Sequence, residues 1–128
     1  MRSELQQVFA NMLANSVDAV ALDGTIHIRI VAGHDSANRQ TSGVRITVAD
    51  NGVGITPAVQ ARMFEPFFTT KEHSGTGLGL WVSSQIIQKH HGSIRFRSSV
   101  KPGNTWTVAS VFLASNGMAQ GGGTLDQS

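Results

Sequence analysis

The order of local signals along the chain predicts an α+β fold, a two-layer α/β sandwich whose mixed, mostly antiparallel sheet carries its helices on one face. Three observations predict it. The chain opens on a long stretch with apolar residues at helical spacing, two separate pairs of alternating segments follow, and a second helical stretch lies between the pairs. Single strands alternating with helices would indicate a doubly wound parallel sheet, and that rhythm is absent.

Residues 3–22 place Leu5, Val8, Phe9, Met12, Leu13, Val17 and Val20 on one helical stripe, stopped near Asp23-Gly24. TIHIRIVA, 25–32, alternates, with Ile26, Ile28 and Ile30 on the face to be buried. VRITVAD, 44–50, alternates likewise after a polar loop over 33–43, so the two segments read as a hairpin. Thr56 followed by Pro57 is an N-cap with proline at the first helical position, which predicts a short helix over 57–63. EPFFTTKEHSGTG, 65–77, has no period and exceeds ordinary connections, a length at which loops tend to carry function. Helical spacing returns over 78–90 through Leu80, Val82, Ile86 and Ile87, and His90-His91-Gly92 marks its end. Residues 93–99 and 105–113 form a second hairpin about Lys101-Pro102-Gly103-Asn104.

With 128 residues and 40% apolar content, the chain supports one core and is too short for two ordinary domains. One domain over 1–114 is expected, followed by a disordered glycine-rich tail over 115–128. The net charge of +2, from 10 basic against 8 acidic residues, is scattered without blocks, so no nucleic-acid partner is expected. The absence of cysteine excludes disulfides and cysteine-based zinc sites. No run of about 18 apolar residues occurs, and MRSELQQ is too polar for a secretory signal. The domain is therefore expected to be cytoplasmic, without direct membrane contact. Met1 opens almost directly onto a helix, which suggests a piece excised from a longer parent that could itself be membrane-anchored.

Three places carry chemistry. Asn11, Asn15 and Asp18 stand at i, i+4 and i+7, within roughly 60° of one another at the edge of the apolar stripe. Asparagine is a mediocre helix former, so the stack is either plain surface polarity or a set of hard, neutral oxygens suited to Mg²⁺. Asp50-Asn51-Gly52-Val53-Gly54 follows the second strand; it is either turn chemistry or a carboxylate beside a thin backbone, able to accept from an exocyclic amine such as that of adenine. GTGLGLW, 75–81, opens the later helix. It fits neither G-x-G-x-x-G nor the Walker loop, yet Gly75, Gly77 and Gly79 allow close approach, Thr76 adds a hydroxyl, and the NH groups entering at Leu78 can hold a phosphate tail.

NMLANSVDA at 11–19, DNGVG at 50–54, FEPFFTTK at 64–71 and GTGLGL at 75–80 resemble, in order and spacing, the N, G1, F and G2 boxes of sensor histidine kinases. The resemblance covers about residues 5–113 and extends to the wider ATP-binding superfamily shared with gyrase, heat-shock chaperone and mismatch-repair ATPases. It implies that Asn15, with Asn11, binds Mg²⁺, and that Asp50 accepts from the adenine amine of ATP beside Gly52 and Gly54. Gly75, Thr76, Gly77, Leu78 and Gly79, with Lys71, would meet the phosphates from a mobile lid. Phe64, Phe67 and Phe68 would anchor that lid or meet a neighbouring helix.

Two departures from the family pattern stand out. Asn11 occupies the place where gyrase-like relatives carry a glutamate base, so rapid hydrolysis is not expected. No segment resembles a phospho-acceptor box, and His27, His34, His73, His90 and His91 form no catalytic or metal set. The implied function is the ATP-binding catalytic domain of a two-component sensor histidine kinase. It would present the γ-phosphate of Mg-ATP to a histidine on a separate dimerisation domain, with a response regulator downstream, and would not label itself. The alternative is a nucleotide-dependent protein-binding module, such as an anti-sigma kinase or an ATP-gated clamp.

Overall fold

The structure is a computed structural model in which residues 2–35, 40–68 and 79–115 are described. Its elements are α1 (Arg2–Ala19), β1 (Ile26–His34), β2 (Ser42–Asp50), α2 (Pro57–Gln60), α3 (Gly79–Lys89), β3 (Gly92–Lys101) and β4 (Asn104–Ala114). The strands form one sheet in the order β1-β2-β4-β3, and every pairing is antiparallel. Ile46 lies opposite Val111 and Val48 opposite Ala109, so period-two alternation turns these apolar residues to one face. α1 packs over β2 and α3 over β3, and the helices touch each other. Val8 and Met12 from α1, with Ile86 and Ile87 from α3, close the core on that face.

The helix pair is also tied at its far end. The Glu4 carboxylate on α1 meets His90 Nε2 at 3.0 Å and accepts from Lys89 Nζ at 3.2 Å, both at the C-terminal end of α3. On the sheet's other face, Phe112 is buried beneath the guanidinium of Arg45, 5.3 Å from its ring centre.

Three expectations need correction. The first strand buries its isoleucine face only in part: Ile26 packs against the core, whereas Ile28 is 56% and Ile30 66% exposed. Both share a face with the buried Val48 and Ile46, but β1 is an edge strand and α1 packs over its neighbour β2. The first helix ends at Ala19 rather than near Asp23, because the Ala19 carbonyl accepts from Val53 N at 3.0 Å where the turn after β2 docks. Val17, placed on the apolar stripe, is 60% exposed.

At the end of α3 the left-handed residue is His91, with φ +61, one position before the glycine. Gly92 already belongs to β3, where a Cβ would collide with the Phe112 carbonyl oxygen. The short helix forms as expected at its start, Thr56 Oγ1 accepting from Val59 N at 3.3 Å, and stops at Gln60. The expected tail over 115–128 lies outside the described residues except for Ser115.

Candidate functional site

Asp50 ends β2 on the face covered by the helices and is only 6% exposed. Its Oδ1 accepts from Gly52 N at 2.9 Å, the single hydrogen bond of this carboxylate among the described residues. Thr107, directly opposite on β4, is equally buried at 6% exposure. Ser98 Oγ donates to Trp106 O at 2.7 Å and accepts from Ile55 N at 2.7 Å, so the 2.8 Å contact with Thr107 Oγ1 uses the threonine hydroxyl as donor. A buried carboxylate with one partner is costly, and it leaves acceptor capacity beside a polar wall of two hydroxyls.

The turn 51–54 is wedged between elements. Asn51 Oδ1 accepts from Thr25 N at 2.8 Å, and a Cβ on Gly52 would collide with the Ala19 carbonyl at the end of α1. Gly54 sits at φ +82 with the Ser99 carbonyl where a Cβ would stand. Both glycines are therefore fixed by space and, at Gly54, by backbone conformation.

Two turns back along α1, Asn11 reaches α3. Its Nδ2 donates to Gly79 O at 3.2 Å and to Ser83 Oγ at 3.2 Å. A carbonyl only accepts, so the amide turns its NH₂ to α3 and its Oδ1 away from that carbonyl. Asn15, one turn further on, is half-buried, and Asp18 is exposed. α1 thus joins two places distant in sequence, the N-terminus of α3 at Asn11 and the Asp50 turn at Ala19. Among the described residues no group of three His, Asp or Glu could hold a metal ion. A cation here would be met by amide oxygens and by the ligand itself, which is the manner of Mg²⁺ with phosphates.

Lys71, Gly75, Thr76, Gly77 and Leu78 lie outside the described residues, and Gly79 is the first residue of α3. Phe64 packs on Phe96 with ring centres 5.7 Å apart, and Arg62 stands 4.6 Å over Phe68. Phe67 differs: it is 74% exposed and held at φ +69. Sequence reasoning missed Ser83, Ser98 and Thr107. The signal for the last two was polar residues at inward parity in alternating strands; for Ser83 it was a hydroxyl on the apolar face of α3.

The model of the histidine kinase-, DNA gyrase B- and HSP90-like ATPase family matches residues 2–115. The chain belongs to that family. It is 43% identical over 107 residues, 84% of its length, to the signal transduction histidine-protein kinase AtoS of Escherichia coli (strain K12), of which it covers 16%. It is 40% identical over 107 residues, 83% of its length, to sporulation kinase B of Bacillus subtilis (strain 168), of which it covers 23%. The chain thus spans less than a quarter of these curated relatives. Among solved structures, the catalytic domain of histidine kinase ThkA in a nucleotide-free form aligns with TM-score 0.67 at 30% identity, over 89% of this chain and 69% of that one. A mycobacterial sensor histidine kinase, MprB, shares the fold with TM-score 0.75 at 24% identity, over 89% and 74% of the two chains. The domain is of the ATP-binding catalytic type that sensor histidine kinases carry, and relatives of that kind favour the kinase over the binding-module alternative. Among the described residues no helix is long and apolar enough to cross a membrane.

Proposed function

We propose that this chain binds Mg-ATP and presents its γ-phosphate to a histidine on a separate dimerisation domain, as the catalytic part of a two-component sensor kinase acting on a response regulator. The observation that carries the reading is Asp50, a buried carboxylate with spare acceptor capacity beside two glycines that keep the backbone thin. An adenine amine supplies the missing donor. One and two turns back along α1 from that turn, the Oδ1 atoms of Asn15 and Asn11 would be the hard oxygens that hold Mg²⁺, whose charge would offset that of the phosphates. Gly79, and on the sequence alone Lys71, Gly75, Thr76, Gly77 and Leu78, would hold the phosphates. The exposed Phe67 is offered to the helix that bears the histidine.

This domain supplies no covalent chemistry. Its residues would hold the nucleotide while the acceptor histidine nitrogen attacks the γ-phosphorus in line, the bond to the β–γ bridging oxygen breaks and ADP leaves. Calorimetric titration with ATP and GTP, each with and without Mg²⁺, tests the site. ATP should bind and GTP should not, because guanine carries a carbonyl where adenine carries the amine, and that carbonyl would face the Asp50 carboxylate. Equal affinity for the two would refute the adenine assignment. Mixing the ATP-loaded chain with a dimerisation domain of its parent should then give acid-labile phosphate on that domain and none on this chain.

A further inference from the structure

We infer that Ser83 is a positioning residue for the phosphate end of this site, acting through Asn11; the inference rests on the nucleotide-binding reading above. Ser83 is 0% exposed and lies on α3 one turn before the core residues Ile86 and Ile87. A hydroxyl in such a place costs free energy unless it is bonded, and alanine would be the better helix former. Its partner is Asn11 Nδ2, across 72 residues of chain. The same amide nitrogen donates to Gly79 O, four residues earlier on α3. Two acceptors one helical turn apart therefore grip one NH₂ group, and each takes one of its two hydrogens.

The grip has two consequences. It fixes the sense of the amide, because a flipped Asn11 would set Oδ1 against the Gly79 carbonyl oxygen, two acceptors with no proton between them. It also fixes the first turn of α3 against α1. The NH groups entering α3 then stand at a set offset from Asn15, one turn along α1 from Asn11. Without the Ser83 hydroxyl the amide keeps one acceptor and can swing about it, so both the metal-facing oxygen and the phosphate-facing turn lose definition. The adenine end is built separately, from Asp50 and its turn, which dock at the C-terminal end of α1, two turns beyond Asn11.

That separation provides the test. Binding of two probes, adenosine and the non-hydrolysable ATP analogue AMPPNP with Mg²⁺, is measured calorimetrically on this chain and on Ser83→Ala, Ser83→Cys, Asn11→Ala and the Asn11→Ala/Ser83→Ala double variant. Loss of one buried hydrogen bond should weaken the Mg²⁺ complex of the analogue roughly five- to tenfold in both Ser83 variants. Adenosine should bind within about twofold of wild type, and its binding reports that each variant is folded; Ser83→Cys keeps the side-chain volume if alanine disturbs packing. The double variant should be no weaker than Asn11→Ala alone, since the two residues act as one unit. Equal weakening of both probes would reduce Ser83 to a packing residue and overturn the proposal, as would unchanged affinity for the analogue or additive losses in the double variant. Wild type that binds neither probe would overturn the nucleotide site itself, a result distinct from any of these.

Discussion

Replacing Asp50 by Asn changes one atom's hydrogen-bonding sense at the base of the site. The wild-type carboxylate accepts from Gly52 N through Oδ1 at 2.9 Å and leaves its second oxygen without a hydrogen bond among the described residues. In Asp50→Asn the amide oxygen stays on Gly52, because a nitrogen there would set donor against donor. Nδ2 then faces the ligand, and an adenine amine meets a donor where it needs an acceptor. Leaving such a group unsatisfied in a buried site costs about 1 to 3 kcal/mol, or roughly five- to 150-fold in affinity for ATP. The same geometry favours guanine, whose carbonyl accepts from Nδ2, so GTP should gain while ATP loses. Folding should move the other way from ATP binding: a 6%-exposed carboxylate with one hydrogen bond is an expensive group, and its neutral isostere should leave stability equal or raise it. Calorimetry with both nucleotides and urea unfolding of the empty protein read the two effects apart. ATP affinity within about twofold of wild type, or a stability loss as large as the binding loss, would refute the reasoning.

Asn15→Ala should abolish the enhancement of ATP binding by Mg²⁺ while leaving ADP binding in chelator nearly unchanged; undiminished enhancement would place the metal role elsewhere. His91→Gly should stabilise the fold. The left-handed conformation costs a non-glycine residue about 1–2 kcal/mol, and glycine's greater backbone freedom in the unfolded chain gives back about 0.5–1, a net gain near 0.5–1 kcal/mol. Thermal unfolding should rise by about 2–6 °C, and no rise would mean that the backbone relaxes without cost. The hydrogen bond to His90, and next that from Lys89, hold the Glu4 carboxyl below its ordinary value of 4.5. A depressed folded value means that Glu4 contributes stability above its unfolded value, and that this is lost as pH falls through the lowered folded one. The urea midpoint of Glu4→Gln should therefore lie below wild type near neutral pH and converge with it below about pH 4.5; a gap that persists in acid would remove the clasp as its cause. The effect should be small, because the Glu4 side chain is a third exposed.

What the sequence made legible was whatever repeats along one element. Val8 and Met12 at i and i+4, Ile46 and Val48 at i and i+2, and the Thr56-Pro57 cap are set by local periods, and all take the places that their spacing implies. The place of Asp50 at a strand end is legible for a related reason, since an alternating segment closed by D-N-G needs few neighbours to be interpreted. Ile28 and Ile30 mislead because alternation states only that two residues share a face, and whether a helix lies over that face depends on where α1 crosses the sheet. Ser83 was illegible because its meaning lies in Asn11, and nothing in either segment records the register of α1 against α3.

The end of α3 shows a second limit, in which a local rule holds and still selects the wrong residue. Two adjacent positions each call for glycine, the left-handed residue that closes the helix and the first residue of β3, and the chain has one glycine for both. At position 92 a Cβ meets the backbone oxygen of Phe112, a fixed atom in the central strand β4 that cannot yield without breaking the β3–β4 ladder. At position 91 the penalty is conformational, about 1–2 kcal/mol, and the His91 side chain is exposed. The glycine therefore stands where the alternative is steric exclusion, and histidine takes the strain. A capping rule applied to the sequence sees only the helix and assigns Gly92 to it; the competing claim comes from β4, some twenty residues further on, and becomes visible only when the strands are paired.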